Sequence, residues 1–328
     1  MTAPSIVRAL PIQSRERWLA AARASSQATF FHTPYWQDLA RLSRPGLRDQ
    51  SMEFHFSDGT TAYLPLTQIG TRLGILKRCM STFAGCYGGA IGGHHTPSIE
   101  RAIQRFLASH RFAEVTVTGN PLAPSNTWLP AFRRSALTTQ MLRLDRRFED
   151  LLRDFSKGHR AAYRKALRLG IHVCLASPEQ QKQYLALYER ALQRWGARAS
   201  SSYPPAFFEG IFALSRQLPE QVKVWVAADA DGQVVAGGLF FYWNGHISYW
   251  HGVSSPDRYA DSATTGLLGE VIREALEHDF KWFDFNPSGG HEGVATFKKH
   301  FGATEVDIGR ASYVAPAARL ARALRGTA

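Results

Sequence analysis

The chain is short of cysteine: Cys79, Cys86 and Cys174 are the only 3 in 328 residues, an odd number with no C-x-x-C pair. That usage argues against a disulfide framework and a cysteine-built zinc site, and it fits a reducing compartment. Long apolar runs are absent as well. No stretch of roughly eighteen apolar residues occurs, and the opening MTAPSIVRALPIQSRERW lacks the apolar centre of a signal peptide, so a cytoplasmic location is expected. Acidic residues are the scarce charge, 27 against 39 basic, which leaves a formal +12. A surplus of that sign suits a phosphate-bearing partner, nucleic acid or an anionic membrane surface. The glycine cluster Cys86–His95 carries no G-x-x-x-x-G-K-[ST] pattern and sits in no clear strand-to-helix turn, which argues against a nucleotide cradle. His94 and His95 have no partner ligands at helical spacing, and no stable metal is expected.

With 45% apolar residues the chain has material for two ordinary domains. Strand patterns at Ser5–Leu10, Met52–Phe56 and Ala62–Ile69, with a hairpin turn at Ser57-Asp58-Gly59, open the first. Thr33-Pro34 reads as an N-cap followed by a first-turn proline. A helix at Ile99–Ser109 and a strand at Ala113–Val117 complete an α/β unit. The proline-containing stretch Asn120–Arg134 reads as a connection. After a strand at Thr138–Leu144, the helical region Asp145–Leu169 sets Arg153, Lys157, Arg160, Arg164 and Arg168 on one side of a 3.6-residue period, with Gly158 as a candidate break. Like charges one turn apart repel, so this stripe either faces an anion or is a solvated face. Helices at Pro178–Trp195 and Pro205–Gln217 precede strands at Val222–Ala228, Val234–Trp243 and His246–Val253. Asn244-Gly245 forms a hairpin between the last two. The loop Ser254–Asp261 then feeds a helix, Ser262–His278.

The densest chemistry lies in Phe280–Gly302, FKWFDFNPSGGHEGVATFKKHFG. Alternating aromatics form a short strand that ends on Asp284. Asn286-Pro287-Ser288-Gly289-Gly290 must turn, and Val294, Phe297 and Phe301 recur at helical spacing around Lys298 and Lys299. A carboxylate, free turn N–H groups and lysines suit an anionic substrate or a developing oxyanion. The same residues also fit a turn cap and a solvated helix face.

Asp284-Phe285, Ser288-Gly289-Gly290 and Phe297-Lys298-Lys299-His300-Phe301-Gly302-Ala303 resemble the C-terminal signature of the Fem-type transferases. These are two-domain relatives of the GNAT N-acyltransferases that include the peptidoglycan bridge aminoacyl transferases. Ser156, Arg160, Arg164, Lys165 and Ala166 resemble a second motif of that family. The resemblance implies an α/β (α+β) fold of two GNAT-like domains, each a mixed, mainly antiparallel sheet flanked by helices. The expected division is a degenerate domain at 1–135 and an acyltransferase domain at 136–328. It also implies N-acyl transfer to an amine, with Lys298 stabilising charge and Asp284 or Glu292 accepting a proton. Arg160, Arg164, Tyr87, Trp36, Asn286 and Ser288 become candidates for substrate binding.

In the GNAT layout the loop after the three-strand meander cradles a donor pyrophosphate, which assigns Arg258, Ser262, Thr264 and Gly266 to the donor. This loop departs from the usual glycine-rich turn: only Gly266 remains, and Asp261 adds negative charge. The donor is expected to be a co-substrate (acyl-CoA, acyl carrier protein or aminoacyl-tRNA) rather than a tightly bound cofactor, and tRNA is a candidate partner. After an expected strand at Glu305–Val314, the tail Ala315–Arg325, with Leu320 and Leu324 among arginines, reads as simple packing or as peripheral membrane contact. A dead transferase fold that binds RNA is the non-enzymatic alternative.

Overall fold

The computed structural model describes residues 3–69, 77–93, 96–109, 112–123, 128–196 and 202–325. His94 and His95, and the side chains of Arg322, Leu324 and Arg325, lie outside that description. Two compact units form: Met1–Thr138 together with Asp307–Ala328, and Thr139–Val306.

The first unit runs β1 (Ile6–Pro11), α1 (Arg15–Ala24), α2 (Pro34–Asp38), α3 (Ala40–Ser43), β2 (Arg48–Asp49), β3 (Met52–Phe56), β4 (Thr61–Leu64), β5 (Thr67–Ile69), β6 (Lys77–Met80), α4 (Pro97–Ser109), β7 (Phe112–Thr118) and β8 (Arg133–Ser135). The expected strand at Ala62–Ile69 is two strands, because Pro65 has no N–H to continue a ladder. Thr33 does cap α2, accepting from the Trp36 N–H through its hydroxyl at 3.5 Å. A three-stranded sheet, β1-β3-β4, accompanies a six-stranded one around a core that includes Phe54, Leu64, Ile103 and Val115.

The second unit runs β9 (Thr138–Arg143), α5 (Phe148–Asp154), α6 (Lys157–Arg168), β10 (His172–Leu175), α7 (Pro178–Trp195), α8 (Pro205–Gln217), β11 (Val222–Ala228), β12 (Val234–Trp243), β13 (His246–Ser254), α9 (Ala263–Glu277), β14 (Trp282–Asp284), α10 (Glu292–Lys299) and β15 (Thr304–Asp307). Its seven-stranded sheet has the order β10-β11-β12-β13-β14-β9-β15, with β13 and β14 parallel. Asn244 (φ 47°) and Gly245 (φ 76°) make the left-handed pair that a two-residue hairpin needs. β12 is buried along its whole length, as expected for a central strand covered on both faces. Gly266 and Gly269 bring α9 against α6: a Cβ on them would lie 2.8 Å from Ala166 Cβ and 2.5 Å from the Tyr163 ring.

Two boundaries differ from the sequence expectation. The break between α5 and α6 falls at Phe155-Ser156 rather than Gly158, because the Ser156 hydroxyl caps α6 by accepting from the His159 N–H at 3.2 Å. The run Thr304–Val314 is two strands, β15 and β16 (Arg310–Val314), and it changes sheets at Ile308-Gly309, where Gly309 adopts φ 61°. β16 then pairs with β7 and β8, and α11 (Pro316–Arg325) follows in the first unit. The expected domain 136–328 therefore ends near Val306.

Candidate active site

The site begins as a fork in the second unit's sheet. β13 and β14 pair over only three positions, His246↔Trp282, Ile247↔Phe283 and Ser248↔Asp284. Beyond Asp284 the chain stays with β9, since the Phe285 N–H donates to the Gln140 carbonyl at 2.9 Å. β13 meanwhile continues to Ser254 against β12 alone. One edge of β13 past Ser248 has no neighbouring strand among the described residues.

At the apex sits Asp284, with no exposed surface. Its Oδ1 accepts from the Thr139 hydroxyl at 2.7 Å and from the Asn286 N–H at 2.8 Å, and its Oδ2 lies 3.2 Å from His246 Nε2. A carboxylate only accepts, so Nε2 carries the proton; His246 Nδ1 then accepts from the Ser248 hydroxyl at 3.3 Å. Serine, histidine and aspartate are thus in line, yet Ser248 and Asp284 are completely buried and His246 nearly so. Ser248 cannot present a nucleophile to a carbonyl, and the trio ties β13 to β14. This corrects the sequence view of Asp284: its oxygens are engaged and sealed from solvent, so it positions its neighbours.

Lys298, on α10, is 5% exposed, and its ammonium donates to the Asn286 carbonyl at 2.6 Å. Burial pulls its pKa down to about 8 from an ordinary 10.5, while the Asp284 charge partly opposes that. The residue is no solvated helix face; Lys299 is, paired with Glu305 at 2.9 Å. The Ser288 hydroxyl donates to Gln140 Oε1 at 3.0 Å, closing the turn onto β9. Glu292 begins α10 exposed, with no ion pair among the described residues.

Residues 153–299 match the family model described as an acetyltransferase (GNAT) domain. A search of curated proteins found no match. Solved structures resemble nearly the whole chain. FemX does so at TM-score 0.73 and 12% identity, over 94% of this chain and 97% of that one. L-PGS from Bacillus licheniformis matches at 0.56 and 14%, over 97% and 98%. A tandem GNAT protein from the clavulanic acid biosynthesis pathway matches at 0.55 and 15%, over 94% and 98%. At such identities these structures bear on fold alone, and the fold they share is a pair of GNAT-like units. Residues 153–299 thus resemble a GNAT domain, and the whole chain shares the fold of these structures.

The donor-loop candidates are unevenly placed for that role. Arg258 pairs with Asp261 and, at 2.8 Å, with Asp229, so the negative charge that spoke against a pyrophosphate is locally balanced. Ser262 enters α9 in a left-handed conformation (φ 61°) without a side-chain cap. The N–H groups of Ala263, Thr264 and Thr265 open that helix, where no intrahelical partner exists. Gly266 is a correction: its N–H is already bonded to the Ser262 carbonyl, and its missing side chain makes room for α6.

Three further candidates are corrected too. Trp36 and Tyr87 belong to the first unit's aromatic core, Trp36 stacked on Phe83 at 4.9 Å and Tyr87 edge-on to Phe31 at 5.9 Å, each at most 1% exposed. Arg160 turns its guanidinium onto the carbonyls of Arg153 and Phe155, closing the end of α5. Arg153 pairs with Asp150 at 2.8 Å. Of the basic stripe, Lys157, Arg164 and Arg168 remain exposed, with no ion pair among the described residues.

Sequence reasoning missed the partners of Asp284, and it missed a dyad on β13. Leu239 faces His251 and Phe240 faces Tyr249, so Trp250 is an extra residue in a bulge that turns both Trp250 and His251 toward Phe208 of α8. Tyr184 of α7 reaches His251 Nδ1 at 2.5 Å, and burial drives the histidine down to about 3. His159, packed against Phe297 and Phe301, is lowered to about 4, chiefly by burial and then by His300. Both are neutral when folded, whereas unfolded they protonate near 6.5. Stability should therefore fall as pH drops from about 6.5 toward 4, because the unfolded chain takes up protons that the folded one refuses. Thermal melts across that range check this. His159→Phe should flatten the slope, and an unchanged slope would remove the histidine from the account.

No helix among the described residues is long and apolar enough to cross a membrane, and no group of three or more metal-ligating side chains occurs among them.

Proposed function

We propose that the protein transfers an acyl or aminoacyl group from an activated donor to a primary amine of a cell-envelope precursor, sugar or amino acid. The observation that carries this is the buried Lys298 ammonium at the apex of the β13–β14 fork, fixed through the Asn286 carbonyl beside the Asp284 network. An acceptor amine attacking a carbonyl in the fork forms a C–N bond, breaks the bond to the leaving group, and passes through a tetrahedral oxyanion. A cation in a water-poor site stabilises that charge far better than it would in water. Asp284 orients, and exposed Glu292 is the remaining candidate to take the amine proton.

One observation favours acyl-CoA as the donor over carrier protein or aminoacyl-tRNA. Arg258 neutralises Asp261 beside the open N-terminus of α9, which restores a place for a pyrophosphate. The exposed Lys157, Arg164 and Arg168 suit a phosphate-bearing acceptor or donor at the cytoplasmic side of the envelope, and the basic tail suits peripheral contact there.

A thermal-shift titration with acetyl-CoA and longer acyl-CoAs tests the donor. At about 100 times its dissociation constant a ligand stabilises by roughly 2.7 kcal/mol, an easily visible shift. A saturable shift supports acyl-CoA. No shift at millimolar concentration removes it in favour of aminoacyl-tRNA or a carrier. Failure to acylate any amine from all three donors would overturn the reading.

A further inference from the structure

A cavity of about 950 Å³ opens within the first unit, and acyl transfer makes no use of it. Its walls come from β1, the link between β2 and β3, the first residues of β6 and β7, and one face of α4. On that face Ala102, Arg105, Phe106 and Ser109 recur at i, i+3, i+4 and i+7. Ile99, Ile103 and Leu107, on another face of the same helix, are sunk in the first unit's core. Sites for small ligands enclose roughly 300–1,000 Å³, so this cavity has the size of one.

Two kinds of side chain meet there. Ile6, Met52, Phe106 and Phe112 pack on the core, yet each keeps part of its surface open. Phe106 is backed edge-on by Phe54 at 5.2 Å, which fixes that wall. Val7, the extra residue in a bulge of β1, adds an apolar side chain that is 70% exposed. Arg8, Lys77 and Arg105 bring positive charge to the same cavity. Arg8 and Arg105 are exposed and have no ion pair among the described residues. Lys77 donates to a neutral partner, Gln50 Oε1, at 3.3 Å. Asp49 is the one carboxylate among the described lining residues, and its Oδ1 accepts from the Ser51 N–H at 2.8 Å.

A neutral apolar molecule would leave these cations without counter-charge, and a compact anion would leave the apolar wall wet. The complement is a molecule with both parts. We propose that the cavity binds an amphipathic anion, an apolar chain that ends in a carboxylate or a phosphate. The chain lies along Ile6, Met52, Phe106 and Phe112, and the head group pairs with Arg8, Lys77 and Arg105. Arginine suits either head group, because its planar fork matches carboxylate and phosphate alike. A free fatty acid and a lipid phosphate are the two sources of this chemistry.

Isothermal titration calorimetry on the full chain, with 12-carbon probes kept below micelle formation, tests the site. Dodecanoate and dodecyl phosphate should bind once per chain with micromolar affinity, and the tighter of the two names the source. Dodecyltrimethylammonium, with the same chain and the opposite charge, should bind at least about tenfold more weakly. Arg8→Glu combined with Arg105→Glu changes two exposed side chains and should melt within a few degrees of wild type. It should weaken both anions by about tenfold or more and tighten the cation, an inversion that a general loss of structure cannot produce. Ala102→Trp, which fills the cavity from the α4 wall, should remove binding of both anions. Lys298→Met should bind them like wild type, since Lys298 belongs to the second unit. Absence of saturable anion binding, equal binding of all three head groups, or a double variant that binds like wild type would overturn the proposal. So would loss of binding in Lys298→Met. Binding is read without turnover, so failure of the transferase reading would leave this site standing, and failure of the site would leave that reading intact.

Discussion

Lys298→Ala should slow acyl transfer by on the order of 100-fold or more, the usual loss when one oxyanion donor leaves a preorganised site. Lys298→Met, which keeps the apolar stem, should be equally slow and more stable. The reason lies in the cost of keeping a charge where Lys298 sits. With its pKa at about 8 in the fold and 10.5 when free, the lysine binds its proton less firmly folded than unfolded. Below pH 8 both states are protonated and the fold bears the full penalty, at most about 3 kcal/mol. As pH rises from 8 toward 10.5 the folded chain sheds that proton first, so this contribution to stability grows with pH. Melts of wild type and Lys298→Met should therefore converge in that range. Activity should move the other way: a charge-stabilising ammonium is lost as pH passes about 8, so kcat should fall there. A kcat that rises through pH 8 would make the neutral amine the active form and would sink the electrostatic role, as would a Lys298→Ala enzyme of full activity.

Asp284 and Lys298 were legible in the sequence because both lie in one stretch whose strand, turn and helix have strong local signals. Their supports were not. Thr139 lies 145 residues from Asp284 and His246 lies 38 residues away, and each looks like an ordinary strand residue until β14 pairs antiparallel with β9 and parallel with β13. The helices Pro178–Trp195 and Pro205–Gln217 and the strands Val222–Ala228 and Val234–Trp243 could be read residue for residue, since periodicity and turn residues are local properties. The candidates that misled did so for a common reason. Trp36, Tyr87, Arg160 and Gly266 belong to residue types that serve either packing or binding, and only burial and partners decide which. The Thr304–Val314 segment misled because its pattern runs on through Ile308-Gly309, while its two halves pair with strands of different sheets.

That crossing sets up the largest structural effect. Gly119→Ala should destabilise the first unit by roughly 3–5 kcal/mol, in the range reserved for a few severe mechanisms. Gly119 follows β7, at the point where the returning chain meets it. Its N–H donates to the Gly309 carbonyl at 3.0 Å, and Arg310 pairs with Thr118. A Cβ on residue 119 would lie 1.7 Å from the Ile308 carbonyl oxygen. That atom is backbone, held by the Ile308 and Gly309 N–H groups donating to the Leu137 carbonyl, so no rotamer change relieves the clash. The returning strand must shift, and β16, central between β7 and β8, must loosen with it. Hydrogen exchange should then show lost protection in 1–138 and 307–328 while Thr139–Val306 keeps most of its own. Were the C-terminal strand part of the second unit, as the sequence pattern suggests, the loss would fall on 139–306 instead. A Gly119→Ala protein that melts like wild type would overturn the placement of Ile308 against Gly119.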